Sequence, residues 1–570
     1  HLVAPGPSDR LAVNDITRAA RRWLAQDPDP VTRAELEELL AREAEGDEAA
    51  SADLTDRFGA RLAFGTAGLR GRLGAGSNRM NRVLVMQAAA GLAAFLLERP
   101  GPDGPPTVVI GYDGRRNSDV FARDSAEVFA GAGLRAILLP RLLPTPVLAF
   151  AVRHLGADAG VMVTASHNPP DDNGYKVYLG GPDDGAQIVP PVDADIAAHI
   201  QRVADAGDVG SLPRSSDYEV AGEELVEAYV DATAAVAPAP AGADGMTWVY
   251  TAMHGVGWET LSRILERAGY PAPALVTAQT QPDGTFPTVT FPNPEEPGAM
   301  DLAFQTAREA GAEFILANDP DADRLAVAVA DPGAPGGWRK LTGNEVGLLL
   351  GWRAAKRVAD AGLGAEASLA CSLVSSPGLA VVAERYGLSS YATLTGFKWI
   401  SRAPGIVYGF EEALGYLVNP ETVRDKDGIS AAIAMLGLMT EARASGADAN
   451  SLLTRFQDEF GFFDSGQVSL RVDDLSVIGR IMASLRTAPP QAVGGVAVER
   501  IDDLLDGVDG LPPGDVLRLW LADGSRVIVR PSGTEPKVKV YLDVRGDSAA
   551  DARARLQALE TGATELLAGG

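Results

Sequence analysis

Short apolar runs rich in β-branched residues recur along the chain, each running out into a loop of glycine, proline or polar residues. In the first set, "PTVVIGYDG" (106–114), "LRAILLP" (134–140) and "GVMVTASHNP" (160–169) alternate with helical stretches such as "DVFARDSAEVFAGAG". Branching at Cβ favours an extended backbone, whereas apolar residues three and four apart make one face of a helix. Alternation of the two predicts βαβ units on a mostly parallel sheet. The pattern restarts at "MTWVYTAMHGVG" (246–257), leading to "EFILANDPDADRLAVAVA" (313–330). It restarts again at "EASLACSLVSS" (366–376), leading to "GIVYGFEEALGYLV" (405–418). The last stretch differs. "VLRLWLADGSRVIVRPSGTEPKVKVYLDV" (516–544) alternates with period two around Asp523-Gly524, as antiparallel strands do. The fold class expected is α/β, with three related mixed-sheet α/β domains followed by a C-terminal α+β domain. The charged helical pattern of residues 1–55 predicts an extension packed outside the core. Pro-, Gly- and Ser-rich joins then divide the chain into 56–212, 213–332, 333–455 and 456–570.

At 570 residues there is ample surface to bury in several domains. A net charge of −26 repels nucleic acid and anionic membranes, so neither is expected as a partner. An anionic substrate would need positive charge gathered locally. The longest apolar run, "VLVMQAAAGLAAFLL" (83–97), falls short of the ~20 residues of a membrane span and predicts a buried helix. Cys371 is the one cysteine, which excludes an internal disulfide and suits a reducing compartment. With no basic, apolar-cored leader in these residues, a cytoplasmic location is expected.

Chemistry gathers in the loops that end the apolar runs. In "NDPDADR", Asp319, Asp321 and Asp323 alternate, and alternating residues on an extended segment face one way. Three such carboxylates make a hard-oxygen site suited to Mg²⁺, one ion per chain, and Arg324 could hold an anion the metal also touches. A calcium loop would need a glycine and a glutamate that are missing here. "FGTAGLRG" (64–71) carries Arg70 on a glycine-rich turn, which suits phosphate but equally a structural turn. "RPSGTEPKVKV" (530–540) clusters Arg530, Ser532, Gly533 and Thr534 as phosphate cradles do, with Lys537 and Lys539 nearby. "GFEEALGYL" offers Glu411 and Glu412 to sugar hydroxyls. "TGFKWI" and "RDKDG" contribute Lys398 and Lys426 from the same region. In "TASHNPPDDNGYK", Ser166 has no G-x-S-x-G elbow around it, and the chain has five histidines. Acyl chemistry is therefore disfavoured, and Ser166 reads as the carrier of a phosphoryl group.

Taken in order, "TASHNP", "DPDADR", "FEEALG" and "RPSGTEP" resemble the motifs of the α-D-phosphohexomutases, the phosphoglucomutase/phosphomannomutase family. "GTAGLRG", "GYDGRRNS", "HGVG", "FPNPE" and "TGFKWI" extend the resemblance over roughly residues 60 to 545, on the long branch that includes phosphopentomutase-type enzymes. The resemblance implies four domains around a central cleft, each supplying one loop. It implies phosphorylation of Ser166, which also faces the metal, and Mg²⁺ on Asp319, Asp321 and Asp323. Arg70, His167 and Lys176 match the catalytic centre, and Lys426 the lysine of "KDG". Thr395, Gly396, Lys398 and Glu411 match sugar recognition. Arg530, Ser532, Gly533 and Thr534 match the distal phosphate site. The implied activity moves a phosphoryl group between the 1 and 6 positions of glucose or mannose phosphate, with a sugar 1,6-bisphosphate as intermediate and activator. Either Arg70 or Lys176 would take the hydroxyl proton. A phosphopentomutase is the alternative substrate class, and a sugar-phosphate sensor without catalysis the alternative function. A two-zinc phosphatase would need more histidines than this chain has. A monomer or homodimer is expected.

The chain departs from the family pattern at two positions. Ala413 stands where many relatives have serine, and Lys539 replaces the planar fork of an arginine with a point charge. A hydrogen bond to a neutral partner is worth ~0.5–1.5 kcal/mol net, about ten-fold in rate at most. Ala413→Ser should therefore shift kcat/KM toward hexose 1-phosphates over pentose 1-phosphates by up to that factor. An unchanged ratio would put selection elsewhere.

Overall fold

A computed structural model describes residues 7–99, 104–508, 510–532 and 536–569. The chain divides into two compact units: residues up to Lys340 together with Asn419–Thr440, and Leu341–Val418 together with Glu441 onward.

In the first unit, strands Thr107–Tyr112, Arg135–Leu138 and Ala159–Val163 pair in parallel. The strand Asp172–Leu179 adds antiparallel to Ala159–Val163, and Leu69–Arg72 adds antiparallel to that. The sheet is thus mixed, because the polar loop after Val163 turns straight back without a crossover helix. A second sheet follows, with strands Trp248–Thr251 and Phe314–Asn318 parallel and Leu325–Ala330 antiparallel to the latter.

The N-terminal segment departs from expectation. Helices Pro7–Gln26, Pro30–Ala44 and Glu48–Phe58 do not lie outside the core. Their Trp23, Leu36, Leu40 and Leu54 are buried in one apolar cluster with Leu84 and Leu92 of helix Arg82–Glu98. Charged residues are frequent in this segment, but an apolar stripe runs between them. Leu36, Leu39 and Leu40 supply the i, i+3, i+4 stripe.

Segment Asn419–Thr440 groups with the first unit, although it follows the third sheet in the chain. Tyr178 Oη donates to Asp425 Oδ2 at 2.6 Å and Tyr229 Oη to Asp427 Oδ2 at 2.8 Å. Its Ile429, Ile433 and Leu436 have no exposed surface.

In the second unit, strands Ser389–Thr393, Ser368–Ser372 and Ile406–Glu411 pair in parallel, and Gly415–Leu417 returns antiparallel. The C-terminal sheet is antiparallel throughout its main strands, Phe462–Arg471, Lys537–Gly546, Arg526–Pro531, Leu517–Leu521 and Val496–Asp503. The expected turn is there: Gly524 takes φ +85° between its two strands. Helices Ser476–Thr487 and Ala549–Ala568 contribute Ile481, Leu485, Leu559 and Ala563 to the core of this sheet. Four α/β domains result, the last of α+β type.

The buried run expected at 83–97 is helix Arg82–Glu98. Asn81 caps it, accepting from Leu84 N–H at 2.9 Å while donating to the carbonyls of Gly74 and Gly76. Gly91 lets helix Val192–Ala206 approach closely: a Cβ there would lie 2.6 Å from the backbone of Ile200. Backbone cannot swing aside as a side-chain end can, and such overpacking typically costs about 1–3 kcal/mol. Gly91→Ala should lower the urea midpoint of unfolding accordingly. An unchanged midpoint would show that the two helices separate freely.

Candidate functional site

The acidic loop joins strands Phe314–Asn318 and Leu325–Ala330. It is a tight turn and not the extended segment expected. Ala322 N–H donates to the Asp319 carbonyl at 2.9 Å, and Ala322 itself takes φ +58°. The turn still converges the carboxylates, bringing oxygens of Asp319, Asp321 and Asp323 within 4.8 Å of one another, all fully buried. Neighbouring loops hold its shape. Val256 N–H donates to the Pro320 carbonyl at 2.9 Å, and a Cβ on Gly255 would sit 2.3 Å from Pro320 Cα. Thr145 donates twice, by its N–H to the Asp321 carbonyl and by its hydroxyl to Asp321 Oδ2 at 2.6 Å.

Ser166 lies just beyond strand Ala159–Val163, buried, in the left-handed region at φ +52°. A non-glycine residue held there is kept by its surroundings. Its N–H donates to Thr164 Oγ1 at 2.9 Å. The Arg115 guanidinium donates to the carbonyls of Ser166 and Asn168 at 2.7 Å and of Pro169 at 2.9 Å. Asp113 anchors the underside, accepting from the hydroxyls of Thr164 and Ser118. So fixed, Ser166 Oγ donates to Asp319 Oδ2 at 3.0 Å and lies 3.3 Å from His167 Nδ1. The serine loop and the acidic loop, 153 positions apart in sequence, meet at one hydrogen bond.

Cations surround the carboxylates. Lys176 Nζ donates to Asp321 Oδ2 and Asp323 Oδ2, both at 2.9 Å. Lys426 Nζ is 3.4 Å from Asp323 Oδ2, and Arg324 Nε is 4.0 Å from Asp319 Oδ2. The residues alone group Lys426 with Lys398, whereas the resemblance matches it to the lysine of "KDG" and sets it among the catalytic residues. The structure places Lys426 over the acidic loop, since Asp425 and Asp427 tie its segment to Tyr178 and Tyr229. Arg70 lies opposite Gly174 in the strand pair that also carries Lys176. No hydrogen-bond partner meets its buried Nε among the described residues.

Burial and then the neighbouring Asp321 and Asp323 charges push the Asp319 carboxyl well up. Burial would do the same to Asp323, but Lys176, Lys426 and Arg324 outweigh it and hold this carboxyl well below the usual range. Burial, with Arg324 and Arg70 beside it, pulls the His167 imidazole down to about 2, so the ring is neutral. Asp321 Oδ1 and Asp323 Oδ1 are buried oxygens with no hydrogen-bond partner. Buried carboxylate oxygens left open on three converging chains are the donor set a hard divalent cation takes, so these residues fit Mg²⁺.

The sugar and phosphate motifs lie in the second unit. Glu411 ends strand Ile406–Glu411 and is buried, while Glu412 is held by the hydroxyls of Ser375 at 2.7 Å and Ser372 at 3.2 Å. The structure therefore separates two adjacent glutamates, of which the resemblance assigns Glu411 alone to sugar recognition. Gly396 takes φ +111° and opens the short helix Phe397–Ile400, which carries Lys398. Arg530 donates to Thr395 Oγ1 at 2.9 Å, joining the sugar motif to the phosphate motif. Lys539 is the cross-strand partner of Arg530, and Ser532 N–H donates to the Lys537 carbonyl at 2.8 Å. Gly533 and Thr534 lie outside the described residues. Sequence reasoning missed Arg115, Asp113, Thr145, Tyr178 and Asp425. The first two stand in "GYDGRRNS", which was noted as a motif, but nothing local says that an arginine will meet carbonyls more than fifty positions away.

Four models of the phosphoglucomutase/phosphomannomutase family match the chain: alpha/beta/alpha domain I at residues 61–206, domain II at 227–333, domain III at 342–458 and the C-terminal domain at 484–560. The chain is 55% identical over 488 residues, 86% of its length and 98% of the relative's, to a "Probable phosphomannomutase" of Haemophilus influenzae. It is 33% identical over 574 residues to "Phosphopentomutase" of Homo sapiens, covering 92% of this chain and 90% of that one. A solved phosphoglucomutase/phosphomannomutase family protein from Burkholderia thailandensis shares the fold, with a TM-score of 0.69 at 20% identity over 90% of this chain and 98% of the other.

Two open carboxylate oxygens make the metal requirement testable. Removal of divalent ions should abolish turnover, and Mg²⁺ should restore it. Asp321→Asn should weaken Mg²⁺ binding, read by calorimetry on the purified protein. Full turnover after rigorous chelation would refute the metal assignment.

Proposed function

The chain belongs to the phosphoglucomutase/phosphomannomutase family of isomerases, and on that premise we propose that it moves a phosphoryl group between the 1 and 6 positions of a hexose phosphate, mannose or glucose. The observation that carries the reading is the bond from Ser166 Oγ to Asp319 inside the buried carboxylate cluster. A serine so placed is poor for acyl transfer and well placed to hold a phosphoryl group among cations.

Phospho-Ser166 would give its phosphoryl group to the free hydroxyl of a sugar monophosphate, breaking the bond at Oγ and forming one to the sugar oxygen. Asp319, Asp321 and Asp323 would hold Mg²⁺, which neutralises charge on the transferring oxygens. Arg324 and Lys426 add fixed positive charge on the same side. Lys176 is committed to Asp321 and Asp323, so Arg70 is the group with a bond to offer the incoming hydroxyl. The hydroxyl proton passes to one of Arg70 and Lys176 in its neutral form, and burial, which pulls the Arg70 guanidinium down, favours Arg70. His167, neutral, orients Ser166 Oγ. The resulting 1,6-bisphosphate turns round and returns its other phosphoryl group to Ser166. The same bisphosphate, bound to dephosphorylated protein, acts as activator.

Recognition of the sugar falls to Thr395, Gly396, Lys398 and Glu411, and recognition of the non-reacting phosphate to Arg530, Ser532, Gly533, Thr534 and Lys539. The bisphosphate presents either end, so these contacts must tolerate near-symmetry. Identity of 55% to a "Probable phosphomannomutase" supports mannose phosphate as first substrate. Identity of 33% to a phosphopentomutase over most of both chains supports pentose phosphate as the second reading.

Ser166→Ala should abolish phosphoprotein formation and lower turnover by several orders of magnitude. Near-normal turnover in that variant would sink the assignment. Turnover of mannose, glucose and ribose 1-phosphates side by side, each with its own bisphosphate, should rank the hexoses first. A higher kcat/KM for ribose 1-phosphate would transfer the function to the pentose reading.

A further inference from the structure

The C-terminal sheet carries a row of polar side chains across three neighbouring strands. Ser465 lies opposite Asp543, and Asp543 lies opposite Arg526. Ser465 Oγ donates to Asp543 Oδ1 at 2.6 Å, and Arg526 Nη2 donates to Asp543 Oδ2 at 2.6 Å. Both charged groups are buried, their side chains 5% and 2% exposed. A buried pair adds little stability over apolar residues of like volume, so a further task for it is worth seeking. Arg526 has one: the same Nη2 donates to the Ser375 carbonyl at 2.7 Å.

Ser375 follows strand Ser368–Ser372, and the peptide that joins it to Ser376 is held at both ends. Arg526 takes its carbonyl, while its N–H, on Ser376, donates to Asn344 Oδ1 at 2.8 Å. Asn344 Nδ2 donates in turn to Ser465 Oγ at 3.2 Å. The bonds close a ring through this peptide, Arg526, Asp543, Ser465 and Asn344. No member can turn without breaking its neighbours' bonds. The buried Ser375 hydroxyl is thereby aimed at Glu412, donating to Oε2 at 2.7 Å and accepting from its N–H at 3.2 Å. From the far side, Gly343 of helix Gly343–Asp360 meets the Glu412 carbonyl so closely that a Cβ would lie 1.8 Å from it. Glu412 adjoins Glu411, so the ring ends beside the proposed sugar contact. Arg526 also shares strand Arg526–Pro531 with Arg530, which donates to Thr395 Oγ1 of the sugar motif at 2.9 Å. One strand therefore grips the sugar motifs at two places.

We propose that Ser375, Asn344, Arg526 and Asp543 are positioning residues, which fix Glu411 at the separation from the Arg530 cradle that a sugar phosphate spans. The proposal rests on the reading of Glu411 and Arg530 as sugar and phosphate contacts. A ligand that touches both contacts senses their separation, whereas bare phosphate has no sugar to place. Loosening the ring therefore weakens binding of a sugar phosphate and spares phosphate itself. The contact exists before and during transfer alike, so KM rises while kcat is kept.

Ser375→Ala frees Glu412 from the ring, and Asn344→Ala frees the amide end of the gripped peptide. Arg526→Met combined with Asp543→Leu removes both charges together, so that no unpaired ion is left buried. Calorimetry on the full chain measures binding of mannose 6-phosphate, ribose 5-phosphate and inorganic phosphate, and turnover of the two sugar 1-phosphates gives KM and kcat. Each variant should lose about ten-fold in affinity for the sugar phosphate that the parent binds, the worth of about one hydrogen bond. Inorganic phosphate should bind as it does to the parent, and KM should rise with kcat unchanged. General loosening of the fold would instead weaken all three ligands together. The proposal is overturned if the variants bind sugar phosphate as the parent does, if inorganic phosphate weakens equally, or if kcat falls at constant KM. A parent that binds sugar phosphate without turning it over refutes the mutase reading, and the binding comparison still decides this one. A parent that binds neither sugar phosphate overturns both.

Discussion

Three carboxylates buried together in the first unit set the terms for everything around them. Ionised groups taken out of water are costly unless opposite charge and hydrogen bonds meet them. Here the compensation comes from separate parts of the chain: Lys176 from a strand, Arg324 from the loop itself, and Lys426 from a segment about a hundred positions further on. The carboxylates and these cations hold each other. Removing one partner would leave an uncompensated charge, which is why the cluster also organises the backbone that supplies it. The two oxygens still open, on Asp321 and Asp323, are the part of the balance left for a divalent cation.

That constraint explains the reach of segment Asn419–Thr440. To bring Lys426 to Asp323, its backbone must be fastened to the first unit, and Tyr178 and Tyr229 do so through the aspartates on either side of Lys426. Both phenols are buried, and accepting their bonds satisfies carboxylates that would otherwise need a second cation each. Placement of a charge thus rests on two neutral donors well removed from it in sequence.

A second constraint acts on Ser166. Its left-handed backbone and its bond to Asp319 require a loop that does not relax, and Arg115 provides the rigidity by meeting several carbonyls at once. The planar guanidinium can do this where a lysine would meet fewer in less defined directions. The serine loop and the acidic loop also leave the carboxyl ends of parallel strands, Ala159–Val163 and Phe314–Asn318, the end of an α/β sheet where ligands gather. The recurrence of strand, polar loop and helix in the sequence follows from this arrangement.

What the sequence determined by itself was the set of local conformations and the donor groups. β-branched runs, the Asp523-Gly524 turn, the apolar helix from Arg82 and the clustering of Asp319, Asp321 and Asp323 depend on residues a few positions apart, so periodicity and spacing reveal them. The motifs also told which chemistry to expect of Ser166 and Arg530. Tertiary structure alone decided the rest, because it turned on contacts between distant segments. It buried the N-terminal helices that their charge seemed to set outside, since only packing against Leu84 shows which face of a helix is inside. It bent the acidic loop into a turn, gave Glu412 the two serine hydroxyls that hold it, and set Lys426 beside Asp323 through the tyrosines that fasten its segment. It recruited Arg115, Thr145 and Tyr178, whose partners lie fifty, one hundred and seventy-six, and two hundred and forty-seven positions or more away. Spacing along a chain carries no signal for such contacts. They exist only once the chain has closed on itself.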